Sequence, residues 1–202
     1  MAKKKINPAM ERSLVLVKPD GVQRGLIGEV ISRLERRGLK IIAIKMLKPS
    51  LEHIDNHYPK DEVWITRLGE KGFKVFAEYG INPKEHMGTD SKKEAGKMVR
   101  GWLVNYLVEA PLVAMVVEGV HAIDMVRKIA GNTLPSKAEI GTVRGDFSVD
   151  SPAAANLEGR AIKNIMHASE DKKEAEHEIN HWFSEEEIFD YRRSDHVVMY
   201  GE

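Results

Sequence analysis

A histidine can attack phosphorus when a carboxylate fixes the proton on one ring nitrogen and cations take up the charge of the incoming phosphates. In Asn164-Ile165-Met166-His167-Ala168-Ser169 a histidine stands between a loop and a capped helix, with Glu178 one helix further on. Lys18 comes where the apolar run Leu14 to Val17 breaks off at Pro19-Asp20-Gly21, so its ammonium extends above a strand end. Arg127 falls late in a helical pattern, and Arg144 follows a long loop. Each cation also has an ordinary account as a solvated surface residue, and spacing alone does not bring the five together.

Other candidates are weaker. The stretch Gly21-Val22-Gln23-Arg24-Gly25-Leu26-Ile27-Gly28 could offer backbone N–H groups to a phosphate. It matches neither a Walker A nor a dinucleotide fingerprint, and turn geometry explains its glycines more simply. His53 with His57 and His177 with His181 have the i,i+4 spacing of metal ligands but lack the glutamate of a zincin pattern. They read as pairs on helix surfaces, and His86, His121 and His196 as surface residues.

The elements that must position these groups follow from apolar periodicity. Leu14–Val17 reads as a buried strand, and Leu26 to Leu34 as a helix ended by Gly38. Leu39–Leu47 is a second strand, and Ser50 caps a short helix through His57 that Pro59 closes. Between Asp61 and Tyr79 an apolar helical stripe is interrupted by Gly69 and Gly72, which leaves one broken helix or two short ones. Ser91 and Glu94 form a capping box for a helix that Pro111 ends. Leu112–Val117 is a third strand, Val120 to Ile129 a helix ended by Gly131, and Val143–Val149 a fourth strand. Ser151–Gly159 reads as a loop, and a helix carrying Ala175, Ile179 and Trp182 follows Ser169. This order is that of an α+β, ferredoxin-like βαββαβ chain: a four-stranded antiparallel sheet with helices on one face.

Composition narrows the function. The chain has 202 residues, with 31 Lys+Arg against 31 Asp+Glu. Zero net charge argues against a dedicated nucleic-acid binder. With no cysteine, thiolate metal sites and cysteine nucleophiles drop out. No apolar run approaches the ~20 residues of a membrane span. Met1–Met10 is basic and patternless, which predicts a flexible tail ahead of a single domain over 11–202 in a cytoplasmic protein.

Taken together, Lys18-Pro19-Asp20-Gly21-Val22-Gln23-Arg24-Gly25, His57-Tyr58, Arg127 with Thr133, Arg144-Gly145-Asp146-Phe147 and Asn164 through Ser169 resemble the nucleoside diphosphate kinase family. The resemblance spans roughly Glu11 to Tyr58 and Leu103 to Tyr191. It implies ping-pong transfer of a terminal phosphoryl group, mainly from ATP, to a nucleoside diphosphate through a phosphohistidine on His167. Glu178 would bond the other imidazole nitrogen, with Ser169 supporting the glutamate, and Lys18 and Tyr58 would lie at the transferring phosphate. Arg127, Thr133 and Arg144 would hold the nucleotide's phosphates, and Asn164 the sugar hydroxyl. Mg2+ would arrive on the phosphates, with no protein-only metal cage, and a hexamer or tetramer built from dimers would be the assembly. The segment Pro59–Arg100 is longer than the family's usual helical hairpin, which leaves the base-stacking position at Trp64 or Val99. A smaller excess falls near Asp150–Ala161, and the familiar His-Gly-Ser-Asp reads His167-Ala168-Ser169-Glu170. A regulatory or scaffold member with little turnover is the alternative.

Overall fold

The computed structural model describes residues 9–201. β1 (Met10–Val17) runs into α1 (Pro19–Gln23), α2 (Ile27–Arg36) and β2 (Lys40–Leu47). Then come α3 (Leu51–His57), α4 (Glu62–Glu78), α5 (Pro83–Met87), α6 (Lys92–Val108) and β3 (Leu112–Val120). α7 (Ala122–Ala130), α8 (Val143–Phe147) and α9 (Pro152–Leu157) lead to β4 (Met166–Ala168), followed by α10 (Lys172–Trp182) and α11 (His196–Tyr200). The sheet order is β2-β3-β1-β4 with every neighbouring pair antiparallel, the ferredoxin-like α+β arrangement expected.

Side chains alternate across a strand, so Leu14 and Leu16 of β1 face one way and Val15 and Val17 the other. The leucines pack with Ile54 of α3, Leu107 of α6 and Trp182 of α10. The valines pack with Val30 and Leu34 of α2 and Val126 of α7. Helices therefore cover both faces of the sheet, not one as the element order predicts. All four residues are fully buried, as an uninterrupted apolar run in a two-sided strand requires.

Several local expectations change. Val143–Phe147 is a helix, because Thr142 caps it by accepting from the Gly145 N–H at 3.1 Å. The helix also needs a glycine at position 145, where an added Cβ would lie 2.0 Å from the Glu139 carbonyl oxygen. The fourth strand is instead Met166–Ala168, paired to β1 with Leu16 opposite His167. Ser151–Gly159 is not wholly loop, since Ser151 caps α9 by accepting from the Ala154 N–H. Pro19 starts a helix where a turn is expected, in the first turn that tolerates its missing N–H. Of the tail expected over Met1–Met10, residues 1–8 lie outside those described. Ala9 accepts a 2.8 Å hydrogen bond from His121, and Met10 begins β1.

Between α3 and β3 the glycines bring two helices together rather than breaking one. α4 runs unbroken, capped by Asp61, and packs against α6. A Cβ on Gly69 would stand 1.8 Å from the Lys92 carbonyl oxygen, and one on Gly96 would stand 1.9 Å from that of Ile65. Only half of the expected capping box forms. The Glu94 N–H donates to Ser91 Oγ at 3.4 Å, but the Ser91 N–H goes to Thr89 Oγ1 and the Glu94 carboxylate to Lys97. Phe76, Met87 and Ala95 make a small separate core, against which Phe73, Val99 and Trp102 pack.

Gly69→Ala and Gly96→Ala should each destabilise the fold by about 1–3 kcal/mol, because overpacking against backbone outweighs alanine's better helix propensity. Gly101→Ala is the control: it lies in α6 with nothing within 4 Å of an added Cβ and should stabilise by roughly 0.5–1 kcal/mol. Urea unfolding of the three variants measures both signs. Stabilisation at Gly69 would contradict the close helix contact.

Candidate active site

The pairing of Leu16 with His167 turns the His167 side chain to the Leu16 face of the sheet, toward α3 and α10. Asp171 caps α10 through the Glu174 N–H, and the helix carries Glu178 back under the strand. His167 Nε2 lies 2.7 Å from Glu178 Oε1, an electrostatic contact in which the ring N–H does not point squarely at the oxygen. Glu178 Oε2 accepts from Ser169 Oγ at 2.7 Å, and Ser169 Oγ in turn accepts from the Leu14 N–H at 3.1 Å. Ser169 thus ties the carboxylate to β1. Burial pushes the Glu178 carboxyl up, but His167, His57 and the Ser169 bond outweigh it and hold it below the usual range, so it stays ionised. Nδ1 of His167 is left on the edge of the ring away from Glu178.

Just before the histidine, Ile165 has φ 71°, a left-handed conformation that a β-branched residue adopts only under compulsion. The compulsion comes from both sides. The Ile165 N–H donates to Asp20 Oδ2 at 3.1 Å, and the Ile165 carbonyl accepts from the Lys18 N–H at 2.7 Å. Gly21 leaves room for this, since its Cβ would meet Val17 Cγ1 at 2.9 Å and the Ile165 oxygen at 3.0 Å. Tyr106 Oη donates to the other Asp20 oxygen. Asp20, Gly21 and Tyr106 therefore position the loop, although the sequence reads the first two as turn residues and the third as part of a helical stripe.

The cations gather beyond that loop. Lys18 Nζ donates to Asn164 Oδ1 at 2.7 Å, and Asn164 Nδ2 donates to the Thr133 carbonyl at 2.8 Å. Thr133 joins the cluster through its backbone. Arg144 is buried, and its guanidinium donates to the carbonyls of Gly131 at 2.8 Å, Met166 at 2.7 Å and Asn164 at 3.3 Å. Burial, and after it the neighbouring charge of Arg127, lowers the Arg144 guanidinium to about 10. Burial, then Arg144, lowers Lys18 to about 7 against the pull of Asp20. Arg127 itself is exposed in the last turn of α7. Two buried cations, each weakened by burial and by a neighbouring positive charge, make a partly dry recess that favours a multiply charged anion.

Tyr58 sits at the C-terminal end of α3, its ring 4.9 Å from that of His57. Burial and then Glu178 raise its phenol far above the usual range, so it stays a neutral hydrogen-bond donor. His57 departs most from expectation. It is buried, its Nδ1 accepts from Trp182 Nε1 at 3.3 Å, and its ring lies 5.2 Å from that of His167. Burial and the charge of His167 lower it to about 3, which keeps it neutral. The two i,i+4 pairs are not separate surface pairs, for α3 and α10 meet there and His53 stacks on His181 at 4.1 Å. Nothing in a single helix's pattern signals that contact.

The family model described as nucleoside diphosphate kinase matches residues 11–64 and 60–188 of this chain. A nucleoside diphosphate kinase of Pyrobaculum aerophilum is 47% identical over 90% of this chain and 99% of its own length. One from Archaeoglobus fulgidus is 42% identical over 96% of this chain and 99% of its own. Among solved structures, an NDP kinase from Pyrobaculum aerophilum superposes with a TM-score of 0.88 at 46% identity, covering 90% of this chain and all of that one. A transition-state mimic of the Borrelia burgdorferi nucleoside-diphosphate kinase, with bound vanadate and ADP, gives a TM-score of 0.78 at 36% identity over 96% and 99% of the two chains. With relatives this similar along nearly the whole chain, and a carboxylate-backed histidine beside a recess of cations, this chain belongs to the nucleoside diphosphate kinase family.

Proposed function

We propose that this chain transfers the terminal phosphoryl group of a nucleoside triphosphate, mainly ATP, to a nucleoside diphosphate by a ping-pong route through His167. The observation that carries the reading is the 2.7 Å approach of Glu178 to His167 Nε2. A proton held on Nε2 leaves the lone pair on Nδ1. Nδ1 attacks the terminal phosphorus, the bond from phosphorus to the bridging oxygen breaks, and the nucleoside diphosphate leaves with that electron pair. The ring becomes cationic in this step, and the Glu178 carboxylate stabilises it. A second nucleoside diphosphate then takes the phosphoryl group from Nδ1 by the reverse reaction.

In this reading Lys18 and the neutral Tyr58 phenol meet the transferring group, and Arg127, Arg144 and Thr133 hold the remaining phosphates. Three of Arg144's donors are committed to carbonyls, so its role is to brace the recess while contributing charge. Asn164 meets the sugar hydroxyl from an amide already oriented by Lys18 and Thr133. Mg2+ belongs to the substrate, carried on the nucleotide's phosphates. The donor set supports this, because Asp20 is committed to Tyr106 and Ile165, and Glu178 to His167 and Ser169. Glu170, exposed after β4, meets the ion's water in this reading. For the base, Trp64 is the better candidate: its ring lies 6.1 Å from that of Tyr58, whereas Val99 packs into the separate core of α4–α6. A homo-oligomer, hexamer or tetramer, in the cytoplasm completes the reading. Exposed Ile44 and Met46 on the edge strand β2 support assembly.

His167→Ala should abolish an acid-labile phosphoenzyme from terminally labelled ATP while the circular dichroism stays that of the parent. Label that persists, or maps to His57 or His177, rules the assignment out. Trp64→Ala should raise KM for every nucleoside diphosphate, and Val99→Ala should lower stability instead, by about 1 kcal/mol. Steady-state kinetics showing the opposite pattern would exchange the two roles. Lys18 supplies a third test by linkage. In the free protein its ammonium titrates near 7, and phosphates arriving beside it raise that value. Nucleotide binding should therefore take up few protons at about pH 6, where Lys18 is already charged, and approach one per site at about pH 8. Calorimetry in buffers of different ionisation heat reads this directly, and Lys18→Gln should lose the uptake. Equal uptake in parent and variant would assign the proton elsewhere.

A further inference from the structure

We propose that His57, His167 and Glu178 form a binding site for a borderline-soft divalent cation, zinc foremost, and that the bound ion silences the histidine nucleophile. One ligand atom from each of these side chains lies within 4.8 Å of the other two, the one such group among the described residues. Glu178 Oε1 is 2.7 Å from His167 Nε2 and 3.7 Å from His57 Nδ1. Zinc with bonds of about 2.0–2.2 Å spaces tetrahedral ligands about 3.3 Å apart, so the carboxylate contacts shift by about half an ångström and the two imidazole nitrogens, within 4.8 Å of each other, close in by at most about 1.5 Å.

The chemistry of the set fits. Two imidazoles and a carboxylate are the three protein ligands of an open zinc site, with the fourth position left to water. A cavity of about 340 Å³ lined by Asn56, His57, Tyr58, Glu174 and Glu178 adjoins the cluster and can supply that water. His57 is buried with Glu178, so the cluster is not a solvated surface patch. Because His57 Nδ1 accepts from Trp182, its lone pair lies on the nitrogen nearer Glu178, and the competitor to be displaced is a long 3.3 Å bond. The other nitrogen, His167 Nε2, is buried without a well-aligned hydrogen bond.

The consequence for the reaction follows from counting protons on the ring. A neutral imidazole has one N–H. Zinc on Nε2 needs the lone pair there, so the proton leaves Nε2, passes through solvent and returns to Nδ1. Nδ1 then has no lone pair to form a bond with phosphorus, and no net proton is gained or lost. Binding of the ion stands on the cluster alone, whereas silencing rests on Nδ1 of His167 being the nucleophile.

The test uses the full chain, stripped with a chelator and free of nucleotide. Zinc titrated against a chromophoric chelator should fill one site per chain, and cobalt(II) should give the intense visible absorption of a four-coordinate ion. His57→Gln keeps an oxygen acceptor for Trp182 but removes the nitrogen ligand, and should weaken zinc binding about 10-fold or more. Glu178→Gln should weaken binding as well, which covers a His57 variant that fails to fold. His121→Asn, at an exposed histidine remote in sequence, should bind as the parent does. Zinc should also block phosphoenzyme formation reversibly, with roughly 10-fold more zinc needed for His57→Gln. Absence of stoichiometric binding, or equal affinity in parent and both ligand variants, overturns the site. Binding that is lost in His57→Gln while zinc leaves labelling of the parent unimpeded keeps the site, overturns the silencing, and counts against Nδ1 as the nucleophile.

Discussion

The site depends on one unfavourable residue held in place. Ile165 occupies a left-handed conformation that costs about 1–3 kcal/mol for an ordinary residue. The cost is borne because both of its peptide groups are bonded to the chain that leaves β1, through the Asp20 carboxylate on one side and the Lys18 N–H on the other. That arrangement reverses the backbone between Asn164, whose amide faces the cations, and His167, which joins β4 and faces α10. Two strands far apart in sequence thereby deliver a lysine and a histidine to adjoining positions. Loosening the clamp would move both at once, since the segment carrying Lys18 supplies the bonds that shape the His167 loop.

Electrostatics divides the site in two. On one side the buried Glu178 carboxylate faces His167 and is stabilised as an anion by it. On the other, Lys18 and Arg144 are both weakened as cations by burial and by like charge. In the reaction we propose, a cationic ring after phosphoryl transfer would complete the first half and an anionic phosphate chain the second. The protein spends stability on a recess whose crowded like charges an anion would relieve.

The segment from α4 to α6 is held by a different principle. Its own core is small, with Phe76, Met87 and Ala95 at the centre, and the closeness of the helices supplies the rest. Gly69 and Gly96 let carbonyl-lined backbones meet where any side chain would intrude, so contact area comes from the helices' own main chain. The segment then adjoins the site through Trp64 beside Tyr58, and Arg100 ties it back to α3 through Asp55 and the Tyr58 carbonyl.

Local sequence determined what is local: the apolar run of β1, the serine cap of α3, the glycine ends of α2 and α7, and the motif residues whose order resembles the family. Periodicity and capping are properties of neighbouring residues, and they survive without a tertiary partner. It misled where a short segment's neighbours decide its form, as at Val143–Phe147, where β-branched and aromatic residues suggest a strand and a threonine cap makes a helix. It misled again at Gly69, because a glycine that breaks an isolated helix and one that admits a neighbouring backbone have the same local pattern. Only the tertiary structure could bury His57 between α3 and α10, set Tyr106 on Asp20, and show helices on both faces of the sheet. Those contacts join residues dozens of positions apart, and their energies depend on distances that no single segment contains.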